Sequence, residues 1–142
     1  KLNLSNRVHF TGFVNNVIPY YKIMDIYGFF ARYESFGLAL ADAMLLKIPI
    51  FGLKGAGEYY DSRNPLVKDN NSTFIERPDI LNQWREEIEG TIIELSILIK
   101  HYENNPINYE LKKENAFQNV IQNFNSEIQF YNLMKVYNKL KF

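Results

Sequence analysis

The 142-residue sequence predicts an α/β fold with a parallel sheet, and three features of its first half support this prediction. Residues 27–31 form a continuous apolar run, which is typical of a strand covered on both faces. Residues 36–46 are all apolar or glycine except Asp42, which indicates a buried helix. Residues 50–53 form another apolar run after Pro49, and the residue before a proline is disfavoured in a helix. A buried strand, a helix and a second buried strand therefore follow one another.

Further elements are expected on both sides of this unit. They are a strand at residues 7–13, a helix ending near residue 24 and capped by Asn15 or Asn16, an edge strand at 73–75, a long helix at 78–102, and tail helices at 108–120 and 126–140. The many asparagines of the tail are interpreted as surface composition. We divide the chain into a sheet-containing domain at residues 1–105 and C-terminal helices at 106–142. These helices pack on that domain or on an N-terminal domain outside this sequence.

Composition excludes several classes of function. Lys and Arg number 16 and Asp and Glu also number 16, so no basic excess favours nucleic acid or an anionic membrane as the main partner. The chain has no cysteine, which excludes disulfides and thiolate chemistry. No apolar run reaches the roughly 18 residues that span a bilayer. A cytoplasmic location is the default expectation.

Two carboxylates occupy unusual places in this pattern. Glu34 follows the first buried strand, and Asp42 lies inside the apolar helix. An ionised carboxylate in apolar surroundings is costly unless a cation, backbone donors or a polar ligand compensates it. Ligands of parallel sheets bind beyond the carboxyl ends of the strands, where helix N-termini present free N–H groups to anions. We therefore expect Glu34 and Asp42 to hold two ends of a ligand whose anionic middle meets the N–H groups of Phe36, Gly37 and Leu38.

Residues 34–44 resemble the signature of GT-B-type retaining glycosyltransferases, the glycosyl transferases group 1 family, which includes many bacterial polysaccharide and glycolipid transferases. The usual form is Pro-Ser-x-x-Glu-x-Phe-Gly-Leu, with a second Glu further along the helix. Three flanking segments agree in order with the family's V-x-F-x-G strand, its YY…ADV segment and its P-V-I…GG-x-x-E segment: residues 8–14, residues 20–26 and residues 48–58. Four motifs in the same order are a fairly specific likeness.

The resemblance implies a fold, and the sequence contains only part of it. The expected architecture is a Rossmann-like doubly wound parallel sheet, the C-terminal half of a GT-B fold, followed by a helical tail. In the family, two strands separate the counterpart of residues 8–14 from that of residues 27–31, and this region carries an Arg and a Lys that hold the donor diphosphate. Neither strand is found here. The chain is therefore interpreted as the C-terminal, donor-binding part of a larger enzyme, with open sheet edges that favour self-association.

The resemblance also implies a reaction. A hexose would pass from a UDP- or GDP-linked sugar to a glycan or lipid-linked acceptor, with retention of anomeric configuration and without a cofactor or an obligatory metal. No Asp-x-Asp pair or His/Cys cluster appears in the sequence. Glu34, matching the first acid of the motif, would act at the transferred sugar as the catalytic candidate. Asp42, matching the second, would bind the ribose hydroxyls. Peripheral membrane association would come only through the N-terminal domain.

Three further residues join the candidate binding set, and one departure from the motif keeps alternatives open. Gly12 ends the V-x-F-x-G segment, and Gly57 belongs to a GxG turn that is expected to pass close to a ligand. Arg32 is either a phosphate or acid partner, an exposed loop arginine, or a structural arginine paired with Asp42. Asp42 replaces the usual Glu and reaches about one methylene less. A non-catalytic nucleotide-sugar-binding or scaffold domain, a 2-epimerase of the same architecture, and an unrelated α/β binding domain therefore remain alternatives.

Overall fold

The computed structural model describes residues 4–31, 34, 36–53, 66–75 and 84–139. The strands that it describes lie within the first 75 residues, and the elements described after them are helical. In chain order they are α1 (Ile18–Tyr21), β1 (Tyr27–Phe29), α2 (Leu38–Leu45), β2 (Ile50–Leu53), β3 (Thr73–Ile75), α3 (Trp84–Asn104), a 3-10 helix (Pro106–Tyr109), α4 (Glu110–Asn123) and α5 (Ser126–Lys139).

The three strands form one parallel sheet in the order β1-β2-β3. Tyr27 pairs with Ile50, and Phe51 pairs with Thr73. The sequence prediction of β2 is confirmed residue for residue, and β3 occupies the predicted edge position. The α/β class with a parallel sheet is thus confirmed for the described part of the chain.

Different helices cover the two faces of the sheet. Side chains alternate between faces along a strand, so neighbouring Ile50 and Phe51 point to opposite sides. Ile50 belongs to a core cluster shared with α2 and α4, whereas the Phe51 ring packs against Tyr102 and Tyr109, with ring centroids 5.8 and 5.9 Å apart. The sheet is therefore the middle layer between helices, as in other α/β folds.

Close packing at the centre of the sheet requires a glycine. A Cβ atom added to Gly52 would lie 2.3 Å from the backbone oxygen of Phe29 and 2.8 Å from the Phe74 ring. The Phe29 and Phe74 rings flank this position and meet edge to face, with centroids 6.1 Å apart. The Phe29 backbone and the Phe74 ring therefore occupy the space that a side chain at position 52 would need.

The strand predicted at residues 7–13 is absent, which corrects the sequence interpretation. The segment is non-helical, unpaired with any described strand, and largely exposed. Phe10 is 94% exposed and Phe13 is 92% exposed. A strand is stable only when a neighbour accepts and donates its backbone hydrogen bonds. None of the described strands is adjacent to this segment, so its pattern alone does not make it a strand.

The helices follow the predicted order, with shifted ends. Pro19 lies in the first turn of α1, as predicted, but the N-cap is Val17 without a side-chain cap, so neither Asn15 nor Asn16 caps the helix. Asn16 Oδ1 instead accepts from the Ile18 N–H at 3.1 Å. The long helix ends at Asn104, two residues before Pro106. None of the described helices is both long enough and apolar enough to cross a bilayer.

The tail asparagines are not all surface residues, contrary to the sequence interpretation. Asn119 of α4 is only 6% exposed, donates to the Leu66 backbone oxygen at 3.2 Å and accepts from Lys68 Nζ at 2.7 Å. Asn71 is 2% exposed and donates to the same oxygen at 2.8 Å. The Asn119 amide joins α4 to the segment that precedes β3, and the Asn71 amide closes a turn within that segment. Hydrogen bonding accounts for their burial, because a buried amide without partners is costly.

Candidate functional site

The candidate site lies beyond the carboxyl end of β1, where the chain turns into α2. β1 ends at Phe29, Glu34 follows after five residues, and Gly37 is the N-cap of α2. The chain then returns through α2 to β2, which is parallel to β1. This is the position at which open α/β sheets bind ligands.

Glu34 lies directly against the start of α2. A Cβ atom placed on Gly37 would be 3.4 Å from Glu34 Cγ and 3.3 Å from Leu40 Cβ. Gly37 has φ 88°, a left-handed conformation that favours glycine. The glycine therefore gives the turn its shape and leaves the Glu34 side chain room beside the helix, with Glu34 itself exposed.

The N-terminus of α2 has no side-chain cap. The Ala41 N–H donates to the Gly37 oxygen at 2.9 Å, and the N–H groups of the preceding turn have no partner within the helix. Phe36, Gly37 and Leu38 are the predicted donors, but the helix begins at Leu38, so the N–H groups without a partner in the helix are those of residues 38–40. Such a turn favours an anionic group, through the donors themselves and the helix dipole.

Asp42 lies on α2, half-buried rather than enclosed. The prediction of a helix buried all round is wrong, because Leu38 is 74% exposed and Leu45 is 41% exposed, while Leu40 and Met44 are fully buried. Asp42 forms no ion pair with any residue in the described ranges, and neither does Glu34. Both carboxylates are therefore available to a ligand within that part of the chain.

Two tyrosines lie close enough to the acids for the carboxylate charges to raise their pKa values. The sequence alone does not place either tyrosine in the site. Burial raises the pKa of the Tyr27 phenol, and the negative charges of Glu34 and Asp42 raise it further. Burial also raises the pKa of Tyr21, with smaller contributions from Tyr27 and Asp42. The Tyr21 and Tyr27 rings stack with centroids 6.1 Å apart, and the Tyr21 hydroxyl donates to the Ala39 oxygen at 3.0 Å. The sequence pattern indicates only that Tyr27 lies in an apolar strand. Its proximity to both acids depends on the fold and could not be predicted from the pattern.

The other predicted binding residues are distributed unevenly. The Phe36 ring packs edge to face on Phe124, with centroids 5.3 Å apart, so the side chain joins α2 to the end of α4. Gly12 has φ 64° in the exposed N-terminal segment, and no heavy atom lies within 4 Å of its added Cβ. The structure therefore does not bring Gly12 to the acids. Arg32 and Gly57 lie outside the described residues.

Among the described residues, neither a metal-binding cluster nor either of the two cavities named below includes the acids. Within the described ranges, no three His, Asp or Glu side chains form a group able to hold a metal ion. Metal-independent transfer stays a prediction. One cavity of about 430 Å³ lies along β3, and another of about 360 Å³ lies beside α1 and the residues before β1 and β2. Neither is lined by Glu34, Gly37 or Asp42. We assign the candidate site by its acids and helix start, because volume alone specifies no chemistry.

Comparison with known proteins identifies the family of this chain. Residues 1–75, just over half of the sequence, match the family model described as glycosyl transferases group 1. This chain belongs to the glycosyl transferases group 1 family. The matched segment contains Glu34, Gly37 and Asp42 together with all three strands, and α3, α4 and α5 follow it. The description of the family names glycosyl transfer as the activity of its members.

Two curated relatives also match a short stretch. Interferon gamma from Canis lupus familiaris and interferon gamma from Vulpes vulpes are each 42% identical to the chain over 50 residues. The stretch is 33% of this chain and 28% of each relative, so the chain spans less than a third of their length. A match of this extent carries no argument about function.

Proposed function

We propose that this chain is the donor-binding part of a retaining glycosyltransferase that transfers a hexose from a UDP- or GDP-linked sugar. The observation that carries the proposal is the arrangement at α2. Glu34 contacts the glycine at an uncapped helix start, and Asp42 follows on the same helix, in a chain that belongs to a glycosyltransferase family. An acid beside anion-binding donors suits a ligand with both hydroxyls and phosphates.

The chemical roles follow from charge. Cleavage of the sugar–phosphate bond leaves negative charge on the diphosphate, and the free N–H groups at the start of α2 are preorganised to stabilise it. Glu34 accepts hydrogen bonds from hydroxyls of the transferred sugar near the reacting carbon. Asp42 accepts hydrogen bonds from the ribose hydroxyls of the nucleotide. No cofactor takes part, and the donor itself is the substrate.

The remaining parts of the proposal concern the whole protein. The sheet corresponds to the C-terminal half of a GT-B fold, in which an N-terminal domain binds a glycan or lipid-linked acceptor. The half-exposed face of α2 and the exposed residues 8–14 suit contact with further parts of such a protein. The protein acts in the cytoplasm, with any membrane contact made by the N-terminal domain.

Calorimetric titration tests donor binding. The protein is titrated with UDP, GDP, UDP-glucose and GDP-mannose, first unaltered and then as Asp42→Asn. We expect one nucleotide class to bind and Asp42→Asn to weaken it about tenfold or more, since a hydrogen bond to a charged acceptor contributes about 1.5–3 kcal/mol. The control is Glu127→Gln, a change at an exposed acid of α5. Equal binding by Asp42→Asn and the control would remove Asp42 from the site.

A second function is favoured by one feature, the shorter acid at position 42. A domain that binds a nucleotide-sugar without reacting would tolerate this loss of reach better than a catalyst. Sugar transfer by the full-length protein separates the two, with Glu34→Gln as the deciding variant. We expect transfer to fall by about 10²- to 10³-fold while UDP or GDP binding is retained. Donor binding without measurable transfer in the unaltered protein would support the non-catalytic function.

A further inference from the structure

A second cavity lies at the opposite edge of the sheet from the acids. Its volume is about 430 Å³, within the roughly 300–1,000 Å³ of small-molecule sites. It is bounded by β3, by the residues before it, and by single turns of α3 and α4. Glu34, Gly37 and Asp42 are not among its lining residues, so it is independent of the proposed donor site.

Two lysines, Lys68 and Lys112, line this cavity, and the ammonium group of each donates to neutral acceptors. Lys112 Nζ donates to the Ser72 oxygen at 2.8 Å and to Thr73 Oγ1 at 3.2 Å. Lys68 Nζ donates to Asn119 Oδ1 at 2.7 Å. Neither lysine forms an ion pair within the described ranges. An ammonium group has three donors, so each has at least one left for a ligand.

Burial makes one of these charges costly. It lowers the pKa of the Lys112 ammonium, while the negative charge of Asp69 acts in the opposite direction. The Lys112 ammonium group is also held in place by its hydrogen bonds to Ser72 and Thr73, at the start of β3. A ligand carboxylate would offset the desolvation of this ammonium without requiring the lysine to move.

The rest of the lining is acidic on one side and apolar on another. Asp69 and Glu94 bring the formal charge of the lining back to zero, and neither forms an ion pair with a described residue. Val67, Phe74 and Leu98 supply apolar surface. A simple anion would meet two carboxylates here, and a simple cation would meet two ammonium groups. A molecule with both charges and an apolar part satisfies all three kinds of lining.

We propose that this cavity binds a small zwitterion of the α-amino-acid class with an apolar side chain. Its carboxylate accepts from Lys112 and Lys68, its ammonium group donates to Glu94 and Asp69, and its side chain contacts Phe74 and Leu98.

Titration calorimetry with L-leucine and L-phenylalanine tests the proposal on the full chain. Two chemical controls each lack one charge: L-leucinamide has no carboxylate, and N-acetyl-L-leucine has no ammonium group. We expect millimolar or tighter binding of at least one amino acid, and at least tenfold weaker binding of both controls. Equal binding of N-acetyl-L-leucine would show a plain anion site and overturn the proposal, as would the absence of binding by either amino acid.

Matched variants locate the binding. Glu94→Gln and Lys112→Gln are each expected to weaken the bound amino acid about tenfold to a hundredfold, because each removes a charge-assisted hydrogen bond. Glu103→Gln and Lys100→Gln are controls at exposed positions of α3 outside the cavity. Lys112→Gln also removes hydrogen bonds from α4 to Ser72 and Thr73 and could destabilise the fold. Glu94→Gln avoids this problem, since Glu94 is exposed and makes no ion pair with a described residue. Unchanged binding in a folded Glu94→Gln variant would place the ligand elsewhere and refute the site.

Discussion

The two ends of α2 are built in opposite ways. At the C-terminal end, the Lys47 N–H donates to the Met44 oxygen and the Ile48 N–H donates to the Ala43 oxygen, both at 3.0 Å. This is a Schellman motif, which satisfies carbonyl groups that the helix cannot satisfy itself. At the N-terminal end, Gly37 has no side chain and no cap is present. One helix thus has one end closed by its own backbone and one end with free donors.

Tertiary contacts increase this difference. Lys47 has φ 54°, and its Nζ lies 2.6 Å from Glu114 Oε2 and 4.6 Å from the centre of the Phe117 ring. These contacts join the C-terminal end of α2 to α4. The N-terminal end instead has an exposed acid beside it. The closing hydrogen bonds and the ion pair are at the far end of the helix, whereas the backbone donors of the near end are left for a ligand.

The largest expected effect comes from the buried side of the first turn. Leu40 is fully buried in the core cluster, so Leu40→Ala is expected to lower the free energy of unfolding by about 2–5 kcal/mol. Leu38 lies in the same turn but is 74% exposed, so Leu38→Ala should change the free energy of unfolding by no more than about 0.5 kcal/mol. Urea denaturation of both variants measures the difference. Similar losses would mean that the two sides of the turn are not as distinct as described.

The next effect concerns the conformation of the N-cap. Gly37→Ala places a Cβ atom at φ 88° and 3.3 Å from Leu40 Cβ, at an expected cost of about 1–3 kcal/mol. The altered turn should also weaken nucleotide binding. The matched control is Gly90→Ala in α3, where no heavy atom lies within 4 Å of the added Cβ. Since that glycine is in a helix interior, the control should stabilise the protein by about 0.5–1 kcal/mol. Urea denaturation and titration calorimetry read the two results.

The smallest effect concerns the closed end and depends on pH. Hydrogen bonds from Lys47 and Gln118 lower the pKa of the Glu114 carboxyl group. A lowered pKa in the folded state contributes stability at pH values above the unfolded pKa, and this contribution is lost as the pH falls through the folded pKa. Glu114→Gln should therefore lower the melting temperature slightly at neutral pH and leave it unchanged in strong acid. A difference that persisted in acid would exclude the ion pair as its cause.

Nucleotide binding should also differ between variants at the two ends of α2. Glu114→Gln changes the closed end alone and should leave nucleotide affinity unchanged, whereas Gly37→Ala changes the end that carries the free donors. Titration of both variants with the nucleotide that binds the unaltered protein gives the comparison directly. Weakened binding in Glu114→Gln would show that the two ends are coupled through the eight residues of α2.

Local signals in the sequence were sufficient for several elements. The apolar run 50–53 and the short run 73–75 predicted β2 and β3, because burial on both faces or at an edge shows directly in residue type. Pro106 predicted the end of α3, since a proline cannot continue a helix. The spacing of Glu34, Gly37 and Asp42 predicted acids around a helix start, and the structure places them there. Their roles in transfer stay predictions.

Long-range contacts decided the rest. Residues 7–13 have a strand pattern but no neighbouring strand, and a pattern cannot supply the partner for its backbone groups. Asn119 is buried because Leu66 and Lys68, more than 50 residues away, bind its amide. Glu34 and Asp42 raise the pKa of Tyr27 only because α2 folds back along β1. The amino-acid order by itself determined the α/β class and the position of the acids along the chain, since both depend on local periodicity and spacing. Only the tertiary structure decided which faces are buried and which charges share a site, because these depend on residues that meet after the chain has folded.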